Sequence, residues 1–481
     1  MSFRQFSKNT LIYATGNVTL RAASFLLIPL YTHTLSVSDY GLLSILLMTI
    51  QIYVILMSLG MPTSLVRFTN DYTKRGEIGK LVGTTTLLTF MGGIICICIS
   101  VLFMLPLFRT ILQIENVRIY VLLTSCGALM QCVSSHIMTY YRARNHAYKF
   151  MFTGVSAAAI LFVLTFISIR LLKLGILGAL AAFIASYGIV LLFLLVDVFL
   201  TTRMSISISL IPKLLKFGVP LLFSMSAQFV MGGSSVYFLG FFGNLEIVAI
   251  YSLGSKLAQV IGIILILPFQ LAFQPFVFEN INDPQIGEKI SRMLTYLVLA
   301  IFIVSGFVIL GSRLLLPVVA PAEYSFAYVV MLLLLPGFSF IGIYFFGETL
   351  LGASKKTPII GLTMTAFAIC SIGLNYLIIP RLMTYGAVIA TNTSYILSGL
   401  VLLSIGIKEL RISIEIRRIG ILCFFTVLLF VTLFVFRNAN LMAFCIIALT
   451  MLFGSISMIW VLGFFSKDEM IAFKKLIQRN R

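Results

Sequence analysis

The sequence predicts an all-α integral membrane protein with about fourteen transmembrane helices. Hydrophobic residues make up 60% of its 481 residues, charged residues only 10%, and the mean hydropathy is +1.10. A soluble domain carries about 25% charged residues. No soluble fold buries so much apolar surface, so lipid must surround most of these side chains.

Apolar segments near the length that a spanning helix needs, about 20 residues, recur along the whole chain, and short loops connect them. No loop has room for a separate domain. We place the segments at residues 10–31, 41–65, 80–105, 118–141, 149–170, 175–200, 214–239, 247–274, 292–312, 325–349, 357–379, 384–407, 419–436 and 441–464.

The basic residues predict the orientation of these helices. With the N-terminus in the cytoplasm, 25 of the 34 Lys and Arg residues fall in cytoplasmic segments and 7 in outer loops. This bias follows the positive-inside rule, and it predicts that both termini are cytoplasmic. The net charge of +19 is then explained by anionic lipid head groups, so membrane lipid is an expected partner and nucleic acid is not.

A faint internal duplication predicts two similar bundles. The stretch Leu35–Ser44 (LSVSDYGLLS) leads into the second segment, and Gly243–Ser252 (GNLEIVAIYS) leads into the eighth. Six helices separate the copies, so both have the same orientation, and a central cavity between two such bundles is typical of transporters. The predicted domains are two six-helix bundles, two additional helices and a basic cytoplasmic tail, at residues 1–202, 203–412, 413–464 and 465–481.

Two basic residues lie deep inside predicted spans. Arg21 is about 20 Å from the inner end of the first helix and Lys256 about 15 Å from the outer end of the eighth. Asn17 shares the face of Arg21, and Ser252 and Gln259 flank Lys256 at helical spacing. A mid-membrane charge usually faces a partner or a wet cavity. These five residues are therefore candidates for a cationic, anion-binding cavity; the alternative is that both bases snorkel to an interface or pair with a structural carboxylate.

Acidic residues within spans are candidates for ion coupling. Glu348 lies near the inner end of the tenth predicted span and Asp197 near the inner end of the sixth. Either carboxylate could bind H⁺ or Na⁺ from a transmembrane gradient. The alternative is an interfacial carboxylate paired with a nearby basic loop.

Arginines at the inner ends of the second and fourth spans are candidates for phosphate contacts. They are Arg67, Arg142 and Arg144, and the planar guanidinium matches phosphate oxygens. The alternative is simple positive-inside anchoring, which needs no ligand.

Catalytic and cofactor motifs are absent from the sequence. The seven cysteines form no metal-binding pattern with histidine, and no phosphate-binding Walker motif occurs, so ATP does not drive this chain directly. We expect no catalytic residue, no metal and no cofactor. The chain is expected to be a transporter and not an enzyme.

Several stretches resemble one known family. They are Asn9–Gly41, Ser58–Phe68, Tyr141–Lys149 and Phe217–Gln274, the last including Tyr251–Leu257 (YSLGSKL). They are similar to the polysaccharide-transporter branch of the multidrug/oligosaccharidyl-lipid/polysaccharide exporter superfamily. The resemblance covers the whole chain in helix count.

The resemblance implies a Wzx-type flippase. Such proteins carry undecaprenyl-diphosphate-linked oligosaccharides from the cytoplasmic to the periplasmic leaflet for O-antigen, capsule or exopolysaccharide assembly, by alternating access. It also implies a location in the bacterial inner membrane, and a polymerase and a chain-length regulator of the same pathway as partners. Two alternatives remain: a cation-coupled multidrug exporter, and a membrane polymerase or ligase acting on lipid-linked sugars. The deep charges here are basic, which disfavours the former, and the short outer loops disfavour the latter.

Overall fold

The computed structural model describes residues 25–106, 108, 117–462 and 464, and within them nearly every residue is helical and none forms a strand. We number the helices in chain order. They are α1 at residues 25–34, α2 Val37–Met57, α3 Met61–Lys74, α4 Ile78–Leu102, α5 Val117–Ala143, α6 Ala147–Leu171, α7 Gly175–Thr202, α8 Ile208–Phe242, α9 Leu245–Asn280, α10 Ile286–Val319, α11 Ala322–Ala353, α12 Thr357–Leu382, α13 Thr384–Leu410, α14 Ile416–Asn438 and α15 Leu441–Val461.

The predicted fold class is confirmed. Of the helices in the described ranges, 13 are long and apolar enough to cross a membrane. They correspond one to one to the second through fourteenth predicted segments. The first predicted segment, 10–31, lies largely outside the described residues, and its last part coincides with α1.

Helix α3 is the main departure from the sequence prediction. The predicted segment 41–65 spans two helices, because α2 ends at Met57 and the backbone turns at Gly60, whose φ is +70°. Pro62 then lies in the first turn of α3. A backbone N–H there would have no partner within the helix, so the lack of an N–H in proline costs no hydrogen bond. The 14-residue α3 buries Leu65, Phe68 and Tyr72 and exposes its polar side.

The helices divide into two compact units, described here separately. Unit 1 takes the chain up to Leu253 together with Val318–Ala327 and Gly361–Ser394. In it α5 packs against α2, α4 and α7, and α2 also packs against α8. The α2–α8 contact includes a hydrogen bond of 3.1 Å between the hydroxyls of Thr49 and Tyr237.

Unit 2 takes Gly254–Pro317, Tyr328–Ile360 and the chain from Tyr395. Here α14 and α15 pack as a pair, and polar contacts tie them to α10 at both ends. At one end Thr295 Oγ1 donates to Glu415 at 2.7 Å. At the other, the Arg313 guanidinium donates to the Ala439 carbonyl and lies over the rings of Tyr328 and Phe444. The predicted domain boundaries at residues 202 and 412 stay predictions.

Candidate substrate-binding site

Lys256 lies inside the long spanning helix α9. Its side chain is half-buried, and Ser252, one turn earlier, is buried with a hydroxyl that has no hydrogen-bond partner among the described residues. Three residues later, at Gln259, the regular α-helix is interrupted, and a π-helical turn follows over Gly262–Ile266. Such turns disturb the backbone hydrogen-bond ladder and are frequent at functional sites. The basic group thus lies beside irregular backbone within a span.

Gln259 is exposed at this interruption. Its side-chain Nε2 donates to Ser255 Oγ at 3.1 Å, within the same helix. The three predicted residues on α9 therefore lie within about two turns of one helix, and Gln259 is the most exposed of them. The other two predicted cavity residues, Arg21 and Asn17, lie outside the described residues, so their meeting with Lys256 stays a prediction.

A buried network of neutral polar groups anchors the first part of α9 within unit 1. Ser235 on α8 bonds to Asn375 on α12 at 2.9 Å and to Thr391 on α13 at 3.0 Å. Tyr251 on α9 bonds to the same Thr391 at 3.0 Å, and Asn375 donates to Ser234 at 2.9 Å. Hydrogen bonds between membrane helices contribute about 0.6 kcal/mol each. None of the residues in this network is among the site residues predicted from the sequence.

The two acidic candidates have different surroundings. Asp197 on α7 accepts hydrogen bonds from Lys149 at 2.8 Å and from the Tyr141 hydroxyl at 2.5 Å. Glu348 on α11 is only partly exposed, and its carboxylate makes no ion pair or hydrogen bond within the described residues. Asp197 is therefore held by cationic and hydroxyl neighbours, whereas none of the ion pairs formed among the described residues includes Glu348.

The three arginines predicted to contact phosphate all lie at one end of unit 1. Arg67 is exposed on α3, with its guanidinium carbon 5.7 Å from the centroid of Phe68. Arg142 is exposed at the end of α5. Arg144 donates from Nη1 to Thr73 Oγ1 at 3.0 Å. The three lie on, or directly after, two adjacent helices.

The neighbourhood of these arginines is electropositive. The pKa of His146, in the loop after α5, lies below its ordinary value because of partial burial and the nearby charges of Lys149 and Arg144. This histidine is therefore neutral near pH 7. The positive potential at this end of unit 1 comes from Lys and Arg side chains and not from histidine.

Comparison with known proteins identifies a sequence family and a fold. A profile of the family described as polysaccharide biosynthesis protein matches residues 6–281. No curated protein gives a significant sequence match. The match starts before the described residues and extends through the whole of α9.

Three solved structures share the fold of this chain. A lipid II flippase, MurJ, in an inward closed conformation superposes with a TM-score of 0.72 at 12% identity, covering 94% of this chain and 99% of that one. A mutant of the Vibrio cholerae MATE transporter VcmN gives 0.62 at 18% identity, covering 85% and 97%. An inward-facing multidrug resistance MATE family transporter of the MOP superfamily gives 0.64 at 16% identity, covering 85% and 95%. The chain thus shares its fold with these solved structures.

Proposed function

The chain belongs to the polysaccharide biosynthesis protein family, and from that premise we propose that it is a flippase for lipid-linked oligosaccharides. Its substrate would be an undecaprenyl-diphosphate-linked repeat unit, moved from the cytoplasmic to the periplasmic leaflet for O-antigen, capsule or exopolysaccharide assembly. The observation that carries the proposal is the half-buried Lys256 inside the spanning helix α9.

The chemistry of the substrate explains why such a charge is needed. A diphosphate is anionic, and moving an isolated ion into hydrocarbon is prohibitively unfavourable. A fixed ammonium within the span offsets part of this cost, while neutral hydroxyl and amide groups such as those of Ser252 and Gln259 suit a sugar. The polyprenyl tail needs no protein path because it dissolves in lipid. Alternating access then exposes the cationic site to each leaflet in turn.

Coupling to an ion gradient is proposed for Glu348 rather than for Asp197. A partly buried carboxylate without a partner favours binding a proton or a cation. Asp197 already has Lys149 and Tyr141 as partners, so an incoming cation would have to displace Lys149.

Two other functions receive less support. A multidrug exporter shares the fold, but the family profile and a basic rather than acidic deep charge favour an anionic substrate. A polymerase or ligase would need an extramembrane catalytic segment. Outside the interval 103–116, consecutive helices in the described part of the chain are joined by at most five residues, too few for such a segment.

We propose that both termini face the cytoplasm and predict the result of a topology assay. Reporter fusions after Lys8, Lys355 and Arg479 should report a cytoplasmic location, and one after Arg381 a periplasmic location. The reason is the excess of Lys and Arg in alternate loops. Paired phosphatase and fluorescent-protein fusions measure this directly, and a periplasmic C-terminus would mean that the helix count is odd.

Reconstitution tests the proposed function. In liposomes containing the full chain, an undecaprenyl-diphosphate oligosaccharide with a fluorescent sugar should exchange between leaflets. Dithionite, added outside, should then quench nearly all the label, against about half in protein-free liposomes. Labelled phosphatidylglycerol is the control lipid and should not gain exchange. If the oligosaccharide lipid stays in its leaflet while a lipophilic cation is transported, the chain is an exporter instead.

The same liposomes test the coupling proposal. An imposed proton or sodium gradient should change the exchange rate of the wild-type chain, and Glu348→Gln should remove that response. The matched variant Asp197→Asn should keep it. A gradient response that survives Glu348→Gln would assign coupling to another group.

A further inference from the structure

Helices α3 and α8 hold a lysine between two aromatic rings at the basic end of unit 1. Phe68 and Tyr72 lie one turn apart on α3. The ammonium nitrogen of Lys213, in the first turns of α8, is 4.5 Å from the centroid of Phe68 and 5.5 Å from that of Tyr72. Phe217, one turn after Lys213, packs edge-on against Phe68 with centroids 5.7 Å apart. The position of the lysine is therefore set by the packing of two helices.

Two guanidinium groups share the same rings. Arg67 lies 5.7 Å from the centroid of Phe68, and Arg75, at the end of α3, lies 5.7 Å from the centroid of Tyr72. Each ring therefore has Lys213 and one arginine beside it. We call these residues the basic aromatic cluster: Arg67, Phe68, Tyr72, Arg75 and Lys213.

Arg144 adds a fourth cation next to the cluster. It reaches from the end of α5 to Thr73, the neighbour of Tyr72, with Nη1 donating to Oγ1 at 3.0 Å. Its Nε is buried and has no hydrogen-bond partner within the described residues. A buried donor without an acceptor is costly, and an anionic oxygen would satisfy it.

Some of the basic residues elsewhere in the described chain are neutralised by carboxylates. Six ion pairs do this: Lys80–Glu77, Lys149–Asp197, Lys289–Asp283, Arg292–Glu288, Lys356–Glu409 and Arg418–Glu415. None of these pairs includes a cation of the cluster or Arg144. An aromatic face orients a cation but does not cancel its charge, so this region keeps its positive charge and its N–H donors for a ligand.

We propose that the basic aromatic cluster is a docking site for the diphosphate of a polyprenyl-linked lipid, used to load the substrate before it reaches the proposed site at Lys256. The inference rests on the proposed function and adds a second phosphate site to it. Arginine supplies paired N–H donors to phosphate oxygens, and lysine supplies a point charge. Aromatic packing holds these side chains in place before binding, which reduces the entropy lost on binding.

The clustering favours a diphosphate over the ordinary anionic lipids of a bilayer. Scattered Lys and Arg near the surface suffice to attract singly charged head groups. Here three cations from two helices meet at two adjoining rings, and Arg144 from a third helix stands beside them. That concentration of positive charge matches a ligand with two linked phosphates.

The test measures binding of farnesyl diphosphate to the full chain in phosphatidylcholine nanodiscs. We expect the double variant Arg75→Gln/Lys213→Gln to raise the Kd at least about tenfold. The matched control is Lys80→Gln, which removes one charge at the same end of the unit. Lys80 is already paired with Glu77, whose pKa it lowers, so the control should bind like the wild type. Phe68→Leu keeps every charge and removes one ring, and it should also weaken binding.

Two competing ligands distinguish a diphosphate-binding site from a general site for anionic lipid. Inorganic pyrophosphate should compete with farnesyl diphosphate in the wild type and less well in the double variant. If phosphatidylglycerol nanodiscs abolish farnesyl diphosphate binding, the cluster is a general lipid anchor and the proposal is wrong.

Further variants separate this inference from the proposed function. Binding that is lost in Lys256→Ala but unchanged in the double variant would overturn the docking site and leave the flippase proposal intact. If binding depends on the cluster but the chain has no flippase activity, the docking site stands and the flippase proposal is wrong.

Discussion

Lys256→Ala is expected to abolish delivery of glycan to the cell surface while the protein remains in the membrane at its normal level. The ammonium is half-buried within α9, and in the proposed function it offsets the charge of the substrate diphosphate. Removing one partner of a buried charge pair weakens binding by about 2–5 kcal/mol, roughly 30-fold or more in affinity. Surface glycan staining against membrane protein level measures the effect.

Companion variants show whether charge or packing is responsible. Lys256→Arg keeps the charge and should retain part of the activity, whereas Arg21→Ala should match Lys256→Ala if both bases line one cavity. Lys289→Ala is the control, because that lysine, in the first turn of α10, pairs with Asp283 in the loop before it and lowers the pKa of Asp283. Normal glycan output from Lys256→Ala would show that the deep charge is only structural.

Most of the fold could be predicted because each spanning helix is specified locally. A helix in lipid must satisfy its own backbone hydrogen bonds, so an apolar run of sufficient length settles the presence of a span. The ends of the helices are less predictable. Helix α10 begins at Ile286 rather than near 292, because helical structure continues past the apolar run. The division of 41–65 into α2 and α3 depends on Gly60 and Pro62. Because the residues around these two are mostly apolar, the hydropathy pattern predicts one continuous span.

The candidate site could be predicted only where a charge interrupts an apolar run. Lys256 is conspicuous for that reason. The network of Ser235, Asn375 and Thr391 is not, since neutral small polar residues occur in many spans and only the packing of the helices shows which of them meet. Lys213 and Arg75 fall in loops between the predicted segments, where the positive-inside rule already accounts for basic residues. Nothing in the sequence pattern therefore pairs them with aromatic rings.

Gly41→Leu is expected to reduce glycan export to a small fraction of the wild-type level. Gly41, in the first turns of α2, faces the backbone of Leu245 at the start of α9, and a Cβ atom there would overlap the Leu245 carbonyl. Small residues allow such close backbone approach between membrane helices. A larger side chain must push the two helices apart, and overpacking of this kind commonly costs about 1–3 kcal/mol.

The surroundings of Gly41 leave the helices little freedom to adjust. Its neighbour Tyr40 packs edge-on against Tyr324 with ring centroids 5.8 Å apart. Further along, Thr49 on α2 bonds to Tyr237 on α8. Moving α2 away from Leu245 strains both contacts. The conformation described here is therefore disfavoured in the variant, and a transporter that alternates between states slows when one of them is raised in free energy.

Gly188→Leu is the matched control for Gly41→Leu. It adds the same side chain to another spanning helix, α7, where a Cβ atom would meet no heavy atom within 4 Å. Export and melting temperature in detergent should stay near wild type for Gly188→Leu, whereas Gly41→Leu should lower both. If Gly41→Leu exports glycan normally, the close approach of α2 to α9 is not a state that transport requires. If both variants lose export equally, the cause is the added bulk in a membrane helix rather than the α2–α9 contact.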